Sequence, residues 1–414
     1  MRQSGNDSAD RETPPLRQED SSPYGNSAES PDGYEPTIQM SVVAPNPPSP
    51  PDTVPPVQRL VSLDMFRGMT VFGMLLVNNI ALDTATPKQL LHAEWSGAVH
   101  FADLVFPWFL LIVGVSLPFS LASFRRKERR VGPWLYKAMG RTVGLFLLGC
   151  LLESVVARHV VIGMSVLQLI GFASFIGALG VLVPAGARVL LSALFLCAYA
   201  SLLLYFPTAE ETGRFTEAGN AIRVLHDSLL EPIGLKGVLS IIPAGGMTLL
   251  GSVFGDLIRR PERTDGQRLT GMFVGGTAIA LTGYLWQNAL PFNKPLWTPS
   301  YILYTGGLGL MLLGFLYLLL DHPVWRGRTR FLAFPLTVFG SNAILAYAAP
   351  IIFRELALRQ IPISPTQTAD QALRDLLYGQ LGRWNGGWAY TVLYIGVWWI
   401  VLLIFHRRRW YVRL

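Results

Sequence analysis

Apolar runs of about 18 to 22 residues recur along this chain from residue 60 onward, separated by short polar, basic or Pro/Gly-containing breaks. Ten are legible, at about 68–83, 102–122, 139–157, 165–184, 187–206, 237–258, 271–290, 300–320, 331–353 and 388–406. As helices, runs of this length cross roughly 30 Å of hydrocarbon. The pattern therefore predicts an all-α polytopic membrane protein with about ten transmembrane helices, ten or eleven. The first run turns polar at Val77-Asn78-Asn79, and only Pro184-Ala185-Gly186-Ala187-Arg188 divides the fourth from the fifth, which predicts a helical hairpin. A further amphipathic helix is expected near Ala369 to Tyr378, ahead of the last run.

No apolar run occurs in residues 1–58, which hold 12 of the 29 prolines together with many Ser, Asp and Glu. Such a segment cannot bury enough surface to fold, so the expected organisation is a disordered cytoplasmic tail, 1–58, and a transmembrane domain, 59–414. Composition agrees with a membrane class: 51% of residues are hydrophobic, 15% are charged and mean hydropathy is +0.37. Cys150 and Cys197 fall inside apolar runs without ligand spacing, so neither a disulfide nor a metal site is expected.

Basic residues collect in alternate breaks. Arg125, Arg126, Lys127, Arg129 and Arg130 follow the second run, Arg259, Arg260, Arg263 and Arg268 the sixth, Arg326, Arg328 and Arg330 the eighth, and Arg407 to Arg409 the last. Arg188 falls on the same side. Because basic loops resist translocation, both termini are expected in the cytoplasm and the segment around residue 92 outside. No cleavable signal peptide is recognisable at the start, so the first span would direct insertion, and short loops point to a bacterial inner membrane. The net charge of +7 follows from this asymmetry without invoking nucleic acid.

Polar groups at the membrane boundary are expensive and mark candidate chemistry. His92, in Leu91-His92-Ala93-Glu94-Trp95-Ser96-Gly97, has a side chain suited to general-base catalysis; its competing reading is a structural histidine. Asp103, at the start of the second run, can cap free N–H groups there or orient the His92 ring. Asn78 and Asn79 need protein or water partners, as helix glue or in a site. Asp64 and Arg67 share a helix face, and Arg67 can pair locally or meet an anionic cofactor. Gln168 and Asn342 are polar groups inside spans, where helix-to-helix bonding competes with ligand binding. The loop 291–300 offers Asn293, Lys294, Trp297 and Thr298 within six residues, as an interface turn or a binding loop. His100 ranks below His92, being flanked by Val99 and Phe101. No HExxH, CxxC, Walker A loop or GxSxG elbow is present, which leaves zinc-protease, nucleotide-hydrolase and serine-esterase readings without support.

Taken in order, RLVSLDMFRG, VNN, HAEWSG, FADLVFPWFLLIVGVS, SVLQ, SIIPA, PFNKPLWTPS and GSNAILAY make residues 59–414 resemble the heparan-α-glucosaminide N-acetyltransferase catalytic domain and its bacterial relatives. That resemblance implies a membrane acyltransferase domain that takes acetyl from cytoplasmic acetyl-CoA and delivers it to the amine, or hydroxyl, of a glucosamine-type acceptor on the far side. It implies that His92, in the pattern His-x-x-Trp-x-Gly with Trp95 and Gly97, is the active-site histidine, with Asn78 and Asp103 beside it. Asn78 and the Trp95 indole are the expected donors to the developing oxyanion. Substrate or cofactor contacts are expected from Arg67, Asn79, Trp95, Gln168, Asn293, Lys294, Trp297, Thr298 and Asn342. Acetyl-CoA is the implied co-substrate, with no metal. The expected partners are the lipid bilayer, an amino-sugar or glycan acceptor and, as an option, a second copy in a homodimer. Where the family has Gly-Val-Leu-Gln-Arg this chain has Ser165-Val166-Leu167-Gln168-Leu169, and where it has Asp-Pro-Glu-Gly this chain has Glu231-Pro232-Ile233-Gly234. The competing function is an inner-membrane transporter of N-acetylglucosamine or a related sugar, in which a hydrogen-bonding substitute at residue 92 would be tolerated.

Overall fold

Hydropathy and capping together set the helices. In a computed structural model, the described residues run from 60 to 412, apart from 96, 128–129, 208–214, 218 and 231–236. The expected tail, 1–58, and the Glu231-to-Gly234 motif lie outside them. In chain order the α-helices are α1 (Val61–Asn79), α2 (Phe101–Arg125), α3 (Gly132–Ala157), α4 (Val166–Gly180), α5 (Ala185–Tyr205), α6 (Ala221–Leu225), α7 (Ile241–Arg259), α8 (Asp265–Trp286), α9 (Pro299–Leu320), α10 (Arg326–Thr329), α11 (Phe334–Ser341), α12 (Ala343–Phe353) and α13 (Ala369–Arg407). A two-stranded hairpin pairs β1 (Pro362–Ser364) with β2 (Gln367–Thr368). The all-α expectation is borne out.

The span count is not. Among the described residues, seven helices are long and apolar enough to cross a membrane, or up to eight if the bent pair ending in α12 is one span. The predicted run 331–353 is that pair, bent by 64° on either side of Asn342. α4, with 15 residues, is shorter than a full span. α1 begins earlier than the predicted 68, because Asp321 at the end of α9 caps it across 260 residues: its carboxylate accepts from Val61 N (3.0 Å) and Ser62 N (2.9 Å). Asp64 and Arg67 therefore lie on the helix. The amphipathic helix expected near 369–378 is the first part of α13, which turns at Gly382 where φ is 76°.

Burial separates centre from rim. In the most apolar stretches of α2, α9 and α7, 72%, 61% and 56% of residues are buried, against 22% in α3, α8 and α13, so the former make the core and the latter face lipid. α2 packs on α7, α8 on α9, α3 on α4 and α1 on α11. α1 and α11 cross at Gly68 and Gly340, where a Cβ on either would run into the other helix's backbone. Arg188 is not a loop cation: it is 2% exposed, ion-paired with Asp256, and donates to Ser252 O (3.0 Å) and Oγ (3.1 Å). α5 begins right after Pro184 and so draws that arginine into the bundle.

Candidate active site

One end of the bundle gathers two loops over the ends of α1 and α2. Gly97, at φ 92°, donates to Phe292 O (3.0 Å), and Asn293 Nδ2 donates to Trp95 O, which ties the loop after α1 to the loop before α9. Within the second loop Asn293 Oδ1 accepts from Leu296 N (2.8 Å), and Thr298 Oγ1 accepts from Asn293 N (3.1 Å) and donates to Pro291 O (3.0 Å). This turn holds Trp297 at φ 53°, a left-handed conformation costly for a bulky residue. Its ring stands edge-on to Phe106, 5.1 Å away.

The result is a constellation of three ionisable groups. Asp103 is 1% exposed and sits in the first turn of α2, where its Oδ2 accepts from His100 N (3.1 Å) and Ala93 N (3.0 Å). Oδ1 lies 3.0 Å from His92 Nδ1 and 3.2 Å from Lys294 Nζ. Lys294 Nζ in turn lies 2.7 Å from His92 Nδ1 and 3.3 Å from Nε2. Nδ1 cannot both donate to Asp103 and accept from Lys294. The ammonium has Asp103 Oδ1 as its own acceptor and the carboxylate can only accept, so we assign the ring proton to Nδ1, which donates it to Asp103, and leave Nε2 as the acceptor, 3.3 Å from Lys294 Nζ. Burial lowers the Lys294 amine below the ordinary lysine range, and the Asp103 carboxylate beside it works in the opposite direction. His100 turns its Nδ1 to Leu91 O (3.0 Å).

The His92 ring, 52% exposed, faces a cavity of about 420 Å³ also lined by Asn78, Ser165, Ser240, Lys294, Trp297 and Tyr347. A second cavity, of about 620 Å³, lies towards the other end of α1 and is lined by Asp64, Arg67, Ser116 and Arg141. Arg67 donates there to Ser116 Oγ (2.9 Å). A third, of about 520 Å³, shares Ser120, Ser123 and Arg141 with the second and adds Lys127 and Lys137. The first two cavities meet at Met74, Val166 and Tyr347, which line both.

Not every expected contact residue faces these cavities. Asn79 is 5% exposed, donates to Leu75 O (2.8 Å) and accepts from Arg354 (3.3 Å), because neighbouring residues on a helix point about 100° apart and Asn78 takes the cavity side. The Trp95 indole donates to Phe215 O and is not available to an oxyanion. Gln168 is fully buried against Gly149, with Nε2 3.7 Å from Cys150 Sγ. Asn342 holds the C-terminal segment, donating to Trp410 O (3.1 Å) and accepting from Val412 N (2.9 Å). Asn293 and Thr298 shape the loop. These six have partners within the protein and line neither of the first two cavities; His92, Asn78, Lys294 and Trp297 share one cavity and Arg67 lines the next. Sequence reading passed over Arg141, a basic residue inside an apolar run, and Tyr347, whose signal was a phenol in an otherwise apolar helix.

A family model described as heparan-alpha-glucosaminide N-acetyltransferase, catalytic, matches residues 59–285, more than half of the chain. The chain belongs to this family. Human heparan-alpha-glucosaminide N-acetyltransferase is 39% identical to it over 69 residues, 17% of this chain and 10% of the human protein. The mouse protein of the same name is 35% identical over 94 residues, 22% of this chain and 13% of its own length. The chain thus matches about a tenth of these relatives' length. His92, Asn78, Asp103, Arg67 and Arg141 fall within the residues matched by the heparan-alpha-glucosaminide N-acetyltransferase model; Lys294, Trp297 and Tyr347 come from beyond them.

Proposed function

We propose that this protein is a membrane-embedded acetyltransferase that moves acetyl from acetyl-CoA to the amine, or hydroxyl, of a glucosamine-type sugar or glycan. The observation that carries this reading is the His92–Asp103 pair facing a cavity that meets, at Met74, Val166 and Tyr347, a second cavity with two arginines. Arg67 and Asn78 are 11 residues apart on α1, roughly 16 Å of helix. Arg67, Arg141, Lys127 and Lys137 are suited to the donor's phosphates, and its flexible arm would extend along α1 towards His92. We read the basic end as cytoplasmic and the His92 end as external.

In this reading the acceptor amine attacks the thioester carbonyl while His92 Nε2 takes its proton. The carbonyl oxygen becomes an oxyanion next to Asn78 Nδ2, and the C–S bond then breaks, with the CoA thiolate recovering the proton from the imidazolium. Asp103 holds the ring in the tautomer this needs. Lys294 pairs with the same carboxylate and lines the cavity beside the ring.

Lys294→Met tests the third member of the constellation. Its amine pairs with Asp103 Oδ1 at 3.2 Å and lines the cavity, so kcat/KM for acetyl transfer is expected to fall about tenfold, the worth of one charge-assisted hydrogen bond. An unchanged kcat/KM removes Lys294 from the mechanism.

The reading as a whole is tested by incubating the purified protein with labelled acetyl-CoA and glucosamine-containing acceptors. Labelled N-acetylated product is the expected result. Sugar carried across liposomes with no acetylated product would instead support the transporter.

A further inference from the structure

Where the two cavities meet, two of the three shared residues, Met74 and Val166, are apolar. The third, Tyr347, carries a hydroxyl that makes no hydrogen bond among the described residues and is not among their buried unpartnered atoms. Other tyrosines of the bundle behave differently. Tyr199 donates to Leu296 O, Tyr301 to Asp103 O, Tyr394 to Pro350 O and Tyr390 to the Asp370 carboxylate. That is the ordinary state of an inward-facing phenol, since an unpaired one forfeits the hydrogen bonds it had in water. Tyr347 instead lines both the basic cavity and the cavity of His92, with no such acceptor among the described residues.

The helix that carries it is placed for this. α12 starts after the 64° bend at Asn342, and Asn342 is pinned by both its side-chain amide groups to the C-terminal segment. The bend brings α12 beside α1 and α3, and both cavities are lined in part by α1.

We propose that the Tyr347 hydroxyl donates a hydrogen bond to an amide carbonyl of the pantetheine arm of acetyl-CoA as that arm passes between the two cavities. The inference rests on the donor reading above and adds the group that grips the arm. An arm threading between Met74 and Val166 leaves water behind, and each amide carbonyl it carries then needs a donor. Tyr347 supplies one where the passage is otherwise apolar. The amide is present in CoA with or without its acetyl group, so this contact holds donor and product alike. It acts on binding and not on the chemical step.

The experiment uses the full chain and two probes: CoA, and the adenosine bisphosphate portion alone, which lacks the arm. Tyr347→Phe is expected to weaken CoA binding by about threefold to tenfold, the worth of one neutral hydrogen bond, and to raise the KM for acetyl-CoA similarly with kcat little changed. Adenosine bisphosphate should bind wild type and variant equally. Tyr347→Trp, which fills the passage, should lose acetyl transfer while keeping adenosine bisphosphate. Unchanged CoA binding in Tyr347→Phe, or equal weakening of both probes, overturns the inference while leaving the acetyltransferase reading intact. A wild-type protein that binds no CoA overturns that reading, and this inference with it.

Discussion

His92→Ala is expected to lower kcat for acetyl transfer by about 10²- to 10⁴-fold, the usual contribution of a positioned general base. CoA binding should be nearly unchanged, because the donor's phosphates are assigned to residues at the opposite end of α1. Stability should change little as well. The ring is 52% exposed, and Asp103 keeps the Ala93 and His100 amides and Lys294 as partners when the imidazole is gone, so about 1 kcal/mol is at stake. Single-turnover acetyl transfer and thermal unfolding of the same preparation check both halves. Because the ring lines an open cavity, imidazole added to the buffer should restore part of the lost rate. A His92→Ala protein with wild-type kcat would end the general-base assignment.

Asp103→Asn should damage both folding and activity. The carboxylate is 1% exposed and has four donors around it: two backbone amides, the His92 ring and the Lys294 ammonium. An amide keeps the shape but removes the charge, which leaves Lys294 as a largely buried cation without a counter-ion. Breaking a buried pair from one side costs about 3 to 5 kcal/mol; Lys294 is 26% exposed, so the lower end, about 3 kcal/mol, is the expected loss. Activity should fall by about 10²- to 10⁴-fold, since an asparagine amide can donate to Nδ1 and so favour the wrong tautomer. The double variant Asp103→Asn with Lys294→Met separates the two effects. Removing the unpaired cation should recover much of the stability and none of the rate. Recovery of the rate as well would show that Asp103 acts on Lys294 alone.

Local sequence carried much of this and stopped where the chain folds back on itself. His92 and Asp103 were legible together because 11 residues separate them and a helix begins between them. Lys294 is 202 residues from His92, and nothing in its loop says which histidine it meets. The adjacent amides Asn78 and Asn79 looked equivalent, and only packing shows that one faces the cavity and the other faces Arg354. Hydropathy located α11 and α12 but joined them, because the apolar run continues on both sides of Asn342 and a bend leaves no mark on an average. Arg188 was read as a loop cation because its partner Asp256 arrives from α7, 68 residues later. Tyr347 stood out only as a phenol in an apolar helix, and its place beside both cavities follows from how α12 packs on α1.

The cap on α1 has a consequence for how the protein is made. α1 is the first of these helices to leave the ribosome, yet its starting N–H groups wait for Asp321, 260 residues downstream. At about 5 to 20 residues per second, that interval is on the order of tens of seconds. Through it the translocation machinery would hold a first helix with an unfinished end, and the end of the bundle that carries Asp64 and Arg67 stays incomplete until α9 has been synthesised.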